Sequence, residues 1–182
     1  MKTIIVAGCT RSGLTLMMQL LHTGGYPCFG TWPAFENYEL GCIPFSKVNG
    51  KAIKLVDSHL QFPPQGDYYI IRLRRDLKQQ AKSIIKFMRL IGLPASNKHI
   101  PQIIDSTKRD YLKIDKWAKT QSGMIIVDFE DMINKPKEVL KRISEFIGYG
   151  LKEAAISCVI ERNTDCYPGM FETKLEFFDT KQ

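Results

Sequence analysis

Apolar residues in this chain gather in short β-branched runs, separated by longer stretches in which they recur every third or fourth position. The first run, residues 2–7 (KTIIVA), stops at Gly8 and a polar turn, the pattern of a short buried strand. After Gly13, Leu14, Met17, Met18 and Leu21 fall at helical spacing, and Gly24 with Gly25 supplies the stop. Residues 26–51 are rich in Gly, Pro and aromatics without a sustained period, which predicts a long loop with one helical turn over 33–38. Loops of that length often carry function.

A second strand is expected over 52–56, ending at Asp57, Ser58 and His59; the Pro63-Pro64-Gln65-Gly66 turn then feeds a third over 68–73. Leu77, Ala81, Ile84, Ile85 and Met88 share one helical face, and Gly92 and Pro94 end that helix. A longer helix spans about 101–119, a fourth strand 124–127, and Asn134 is placed to cap a helix that buries Val139, Leu140, Ile143, Phe146 and Ile147 before Gly148 closes it. Strands alternating with helices predict an α/β fold: a three-layer, P-loop NTPase-like arrangement whose central parallel sheet of four to five strands is flanked by helices. Ligands then bind at the carboxyl ends of the strands, where Gly8 to Gly13, His59 and the stretch from Arg72 to Arg75 would share one edge.

With 182 residues, 44% of them hydrophobic, the chain is read as a single domain over 1–182, with the weakly periodic tail 162–182 as a lid, an interface or a partly ordered segment. The apolar run at the start is broken by Thr10, Arg11 and Ser12 too soon to be a signal or membrane segment, so a cytoplasmic protein with no membrane association is expected. Five cysteines without a CxxC pair suggest free thiols, neither a disulfide framework nor a zinc site, and no metal is expected. The net charge of +7 favours an anionic partner. Aromatic and basic residues do not interleave as they do in single-strand binders, so nucleic acid is not the expected partner.

A strand, then Gly8-Cys9-Thr10-Arg11-Ser12-Gly13-Leu14-Thr15, then a helix aims successive backbone N–H groups and a helix N-terminus at an anion. The spacing fits G-x-x-x-x-G-K-[ST], but Leu14 stands where an ATP-using P-loop needs lysine, which counts against nucleotide kinase chemistry. Gly8-x-x-Arg11-Ser12-Gly13-x-Thr15 resembles instead the phosphosulfate-binding loop of sulfotransferases, P-[KR]-S-G-[ST]-[ST], with Thr10 in place of the proline and Leu14 in place of a hydroxyl residue. The resemblance implies that Cys9, Thr10, Arg11, Ser12, Gly13, Leu14 and Thr15 hold 3′-phosphoadenosine 5′-phosphosulfate (PAPS) as co-substrate, with Arg11 also serving the departing phosphate.

Sulfotransferases hold the 3′-phosphate with an arginine at a strand end and a serine eight residues on, in an R-x-P-x-D-x-x-x-S pattern. Two registers are open here: Arg72 has Asp76 at the expected place but Gln80 for the serine, whereas Arg75 has Ser83 but no intervening aspartate. Arg72 is the preferred anchor, Arg75 with Ser83 the second choice. A guanidinium fork with a helix hydroxyl suits a dianion whatever the family. Val127-Asp128-Phe129-Glu130-Asp131-Met132, with Asn134-Lys135-Pro136 and Glu145-Phe146-Ile147-Gly148, is similar to an architectural segment of the same family, in which Glu130 and Asp131 read as loop or capping carboxylates. The family's C-terminal R-K-G-x-x-G-x-W-K-like segment has no counterpart over 161–182.

Sulfuryl transfer needs a base near the acceptor. Ser58-His59-Leu60 before Pro63-Pro64 resembles the T-H-L-P segment that bears the family's catalytic histidine, which makes His59 the expected base and Asp57 the reserve. Cys9, at a helix N-terminus, is a formal nucleophile. The expected activity is metal-independent transfer of a sulfuryl group from PAPS to a hydroxyl or amine of a small-molecule or sugar-type acceptor. A small-molecule kinase using ATP and a non-catalytic, sulfotransferase-like nucleotide-binding protein are the competing readings.

Overall fold

A computed structural model describes residues 1–35, 45–60 and 62–160. Four strands, β1 (Thr3–Gly8), β2 (Ala52–Val56), β3 (Tyr68–Arg74) and β4 (Gly123–Asp128), form one sheet in the order β2-β1-β3-β4 with every pair parallel. Helices α1 (Leu14–Thr23), α2 (Leu77–Leu90), α3 (Ile100–Ala118), α4 (Phe129–Asn134), α5 (Pro136–Ile147) and α6 (Ser157–Ile160) make the crossovers and the outer layers. The strand count falls within the expected range, and the strand boundaries move from the expected ones by a residue at most at either end.

The two-residue alternation of a strand sends successive side chains to opposite faces. Ile4, Val6, Ile71, Leu73 and Val127 meet α1, α4, α5 and α6 on one side, while Ile5, Ala7, Ile53, Leu55 and Ile70 meet Tyr111, Ile114 and Ala118 of α3 on the other. Both faces are covered, which is why the strands read as continuous apolar runs.

Two local expectations need correction. Asn134 does not cap the helix after β4: it ends the short helix α4, and α5 starts afresh with Lys135 at the cap position and Pro136 in its first turn. A proline is tolerated there because its missing N–H has no intrahelical partner to lose. Glu130 and Asp131 accordingly lie in the first turn of α4 and not in a loop, and the Glu130 carboxylate accepts from the Asp76 N–H at 3.1 Å. The turn expected over 33–38 lies partly, and the tail 162–182 wholly, outside the described residues.

Candidate functional site

β1 ends at Gly8 and α1 begins at Leu14, so residues 9–13 cross the carboxyl edge of the sheet in a tight loop. Two of its residues take left-handed backbone conformations, Arg11 at φ 63° and Gly13 at φ 101°. Glycine adopts this freely, whereas arginine does so at a cost of about 1–2 kcal/mol that surrounding contacts must offset. Both glycines are also sterically required: a Cβ on Gly8 would lie 2.7 Å from the Ser12 hydroxyl oxygen, and one on Gly13 2.5 Å from the Phe129 ring. No side-chain hydrogen bond caps α1 at Gly13, which leaves its first-turn N–H groups open to an anion.

The loop is clamped from β2, β3 and α2. The Thr10 N–H donates to the Asp57 carboxylate at 2.7 Å, and the Gln80 amide donates to the Thr10 carbonyl at 2.8 Å. Arg75 donates to the Arg11 carbonyl at 3.1 Å, and Arg11 Nε donates to the Ser83 hydroxyl at 3.1 Å. Each guanidinium lies over a ring, Arg11 over Phe87 at 5.7 Å and Arg75 over Phe129 at 4.4 Å. Burial lowers the Arg75 pKa from its ordinary value, a burden that an anion would relieve. Among the described residues, the Ser12 hydroxyl and Arg75 Nε are buried without a hydrogen-bond partner. Buried donors left open beside a backbone nest are what an oxyanion ligand satisfies.

Arg72, the preferred anchor in the sequence, sits elsewhere. It pairs with Ala7 and Ile126 across the sheet, so its side chain runs under α3, where it is 1% exposed. There Nε donates to Asp115 at 2.7 Å, Nη1 donates to the Leu73 carbonyl, and the guanidinium lies 4.1 Å from the Tyr111 ring centre. Gln80, the residue in register with it, is fully buried and accepts from the Tyr111 hydroxyl at 2.6 Å. The structure thus brings Arg75 and Ser83 to the loop and leaves Arg72 behind it.

His59 follows β2 in a turn whose first residue, Asp57, has φ 49° and donates its N–H to the Gly8 carbonyl at 2.9 Å. The His59 side chain is 9% exposed, with Nε2 3.5 Å from Asp110 and Nδ1 buried without a partner among the described residues. Burial raises the Asp57 carboxyl above its usual range, although the Thr10 N–H opposes this. Burial, followed by the charge of Asp57, pushes the Cys9 thiol up to about 12, so the thiol stays protonated near neutral pH and a Cys9 nucleophile is disfavoured.

The sequence reading passed over Lys54, which is 5% exposed in the middle of β2 and donates to the Thr15 hydroxyl at 3.2 Å and to the Ala34 carbonyl at 2.5 Å. The signal was a lone lysine inside an otherwise apolar run, AIKLV. It brings a cation to the end of the loop between β1 and α1 from the neighbouring strand, where Leu14 supplies none.

Comparisons with known proteins bear on the fold and the family. No curated protein matches the sequence. Among solved structures, mouse sulfotransferase SULT7A1 complexed with PAP superposes with a TM-score of 0.58 at 16% identity over 87% of this chain and 62% of that one, so the chain spans less than two thirds of its length. The sulfotransferase domain from the curacin biosynthetic pathway gives 0.57 at 10% identity, covering 86% of this chain and 77% of that one. Sulfotransferase STF9 from Mycobacterium avium gives 0.53 at 12% identity, covering 88% and 67%. At these identities the neighbours speak for the fold. The sulfotransferase domain family model matches residues 1–164, and the chain therefore belongs to the sulfotransferase domain family.

Proposed function

We propose that this protein transfers a sulfuryl group from PAPS to a hydroxyl or amine acceptor, with Arg75 and Ser83, not Arg72, holding the 3′-phosphate of the donor. The observation that carries the reading is the convergence of two sequence-distant basic motifs: Arg75 bonds the backbone of Arg11, and Arg11 bonds Ser83, within one cluster at the phosphate loop. The residues fit the donor. Gly8 and Gly13 let the loop pack tightly against Ser12 and Phe129, and the Ser12 hydroxyl and Arg75 Nε are buried donors that an acceptor would satisfy.

In the reaction, the acceptor oxygen or nitrogen attacks sulfur as the bond from sulfur to the phosphate oxygen breaks, and the electron pair departs with that oxygen. Loop N–H groups, the uncapped α1 N-terminus and Arg11 would stabilise the developing charge. Lys54, held at Thr15, adds a further cation to that end of the loop. His59 receives the acceptor proton, with Asp110 3.5 Å from its Nε2. The acceptor is a small molecule or sugar, met at the His59 side of the loop.

Thermal stability separates this reading from ATP chemistry. 3′-Phosphoadenosine 5′-phosphate (PAP) at about a hundred times its dissociation constant adds about 2.7 kcal/mol, or about 5–10 °C in a chain of this size. ADP and Mg·ATP at the same concentration should add little. Stabilisation by Mg·ATP alone would contradict the proposal. With an acceptor in hand, His59→Ala should lower kcat by about 10²–10⁴-fold while PAP binding persists.

A further inference from the structure

We propose that Cys9, Asp57 and His59 form a three-ligand site for a soft divalent ion such as zinc, whose binding takes the histidine out of proton transfer. One donor atom from each of the three lies within 4.8 Å of the others. Residues 9 and 57–59 are far apart in sequence and show no metal-ligand spacing, but hydrogen bonds from the Asp57 N–H to Gly8 and from the Thr10 N–H to Asp57 lock the two segments together. Zinc to sulfur and zinc to nitrogen bonds of about 2.3 and 2.0 Å put neighbouring donors about 3.3–3.8 Å apart, so a contraction of about 1 Å at side-chain torsions completes the set.

The histidine carries the second observation. Its ring is more than nine-tenths buried, Nε2 lies 3.5 Å from Asp110, and Nδ1 has no partner among the described residues. An unpartnered ring nitrogen with a carboxylate near the other one offers the pairing that orients a metal-bound imidazole. Thiolate, imidazole and carboxylate together suit zinc or cobalt and not magnesium. Coordination exchanges the Cys9 thiol proton for the metal, releasing that proton to solvent. Three protein ligands leave a fourth position for water or for an oxygen of an anion bound at the adjoining loop.

The site itself stands on geometry; only its inhibitory consequence rests on the sulfotransfer reading. Chelator-treated full-length protein is titrated with Zn²⁺, with Mg²⁺ as control, and separately with Co²⁺. Expected are zinc-specific stabilisation and a thiolate-to-cobalt charge-transfer band, with both lost in Cys9→Ser. Asp110→Asn, outside the loop, should retain the fold and weaken zinc binding about 10–100-fold. Equal responses to Zn²⁺ and Mg²⁺, or a cobalt band that survives Cys9→Ser, overturns the proposal. A PAP response without a zinc response sinks this inference alone, and a zinc response without a PAP response sinks the donor reading alone.

Discussion

An arginine with a polar residue eight positions later occurs twice across β3 and α2, and the two pairs end up in different environments. Arg72 and Gln80 are buried within the described structure, joined to Tyr111 and Asp115 of α3, and Gln80 reaches only the back of the loop through the Thr10 carbonyl. Arg75 and Ser83, three residues further on, are partly exposed and bracket Arg11. The cause is the end of the strand. Arg72 is still paired with its neighbours, so alternation drives it into the sheet face, whereas the last paired residue is Arg74, opposite Asp128, and Arg75 lies beyond it. The inner pair is therefore tied into the fold, and the outer pair is the one we propose for the ligand.

The largest expected effect comes from breaking the inner pair. Arg72→Ala removes a buried guanidinium and its bonds, and should cost about 2–4 kcal/mol of stability, read as a fall in Tm of roughly 5–15 °C. The outer pair should answer in binding instead: Arg75→Ala should weaken PAP by about 2 kcal/mol or more, some thirty-fold, with a much smaller change in Tm. Ser83→Ala removes one hydroxyl and should cost about 1 kcal/mol of PAP affinity, measured by calorimetric titration. If Arg72→Ala folds as well as the parent, the division of labour fails.

The smallest effect lies at the strand end between the two pairs. Arg74 bonds Asp128 at 2.6 and 2.9 Å and holds its carboxyl below the usual range. Because the folded-state pKa is the lower one, the bridge's contribution is present above the unfolded value of about 3.9 and is lost as the pH falls through the folded value. Half the Arg74 side chain is exposed, so Asp128→Asn should cost under about 1 kcal/mol at neutral pH and nothing once the pH is below both values. Acid-to-neutral melting curves of the two proteins check this.

The sheet and main helices were legible because parallel strands buried on both faces leave compact apolar runs, as in TIIVA and YYII, and the helices between them keep a clear apolar stripe. The loop between β1 and α1 was legible because its glycines and its strand-to-helix setting lie within one short stretch. The choice between the two arginine registers was not, since motif spacing matched both in part and the decisive fact was where strand pairing stops. Asn134 misled for a local reason: Pro136 restarts the helix two residues later and takes the boundary with it. Lys54, Asp110 and Tyr111 come from β2 and α3, and nothing in their own segments marks what they meet across the fold.

The central claim is that the Arg75 register, not the Arg72 register, recognises the donor's 3′-phosphate. Its most direct test is calorimetric titration of PAP and of AMP, which lacks that phosphate, into the parent protein, Arg75→Ala and the volume-preserving Arg72→Met. The account predicts that the affinity ratio of PAP to AMP collapses in Arg75→Ala and persists in Arg72→Met. A ratio that survives Arg75→Ala, or one that is lost with Arg72→Met in a folded protein, would contradict it.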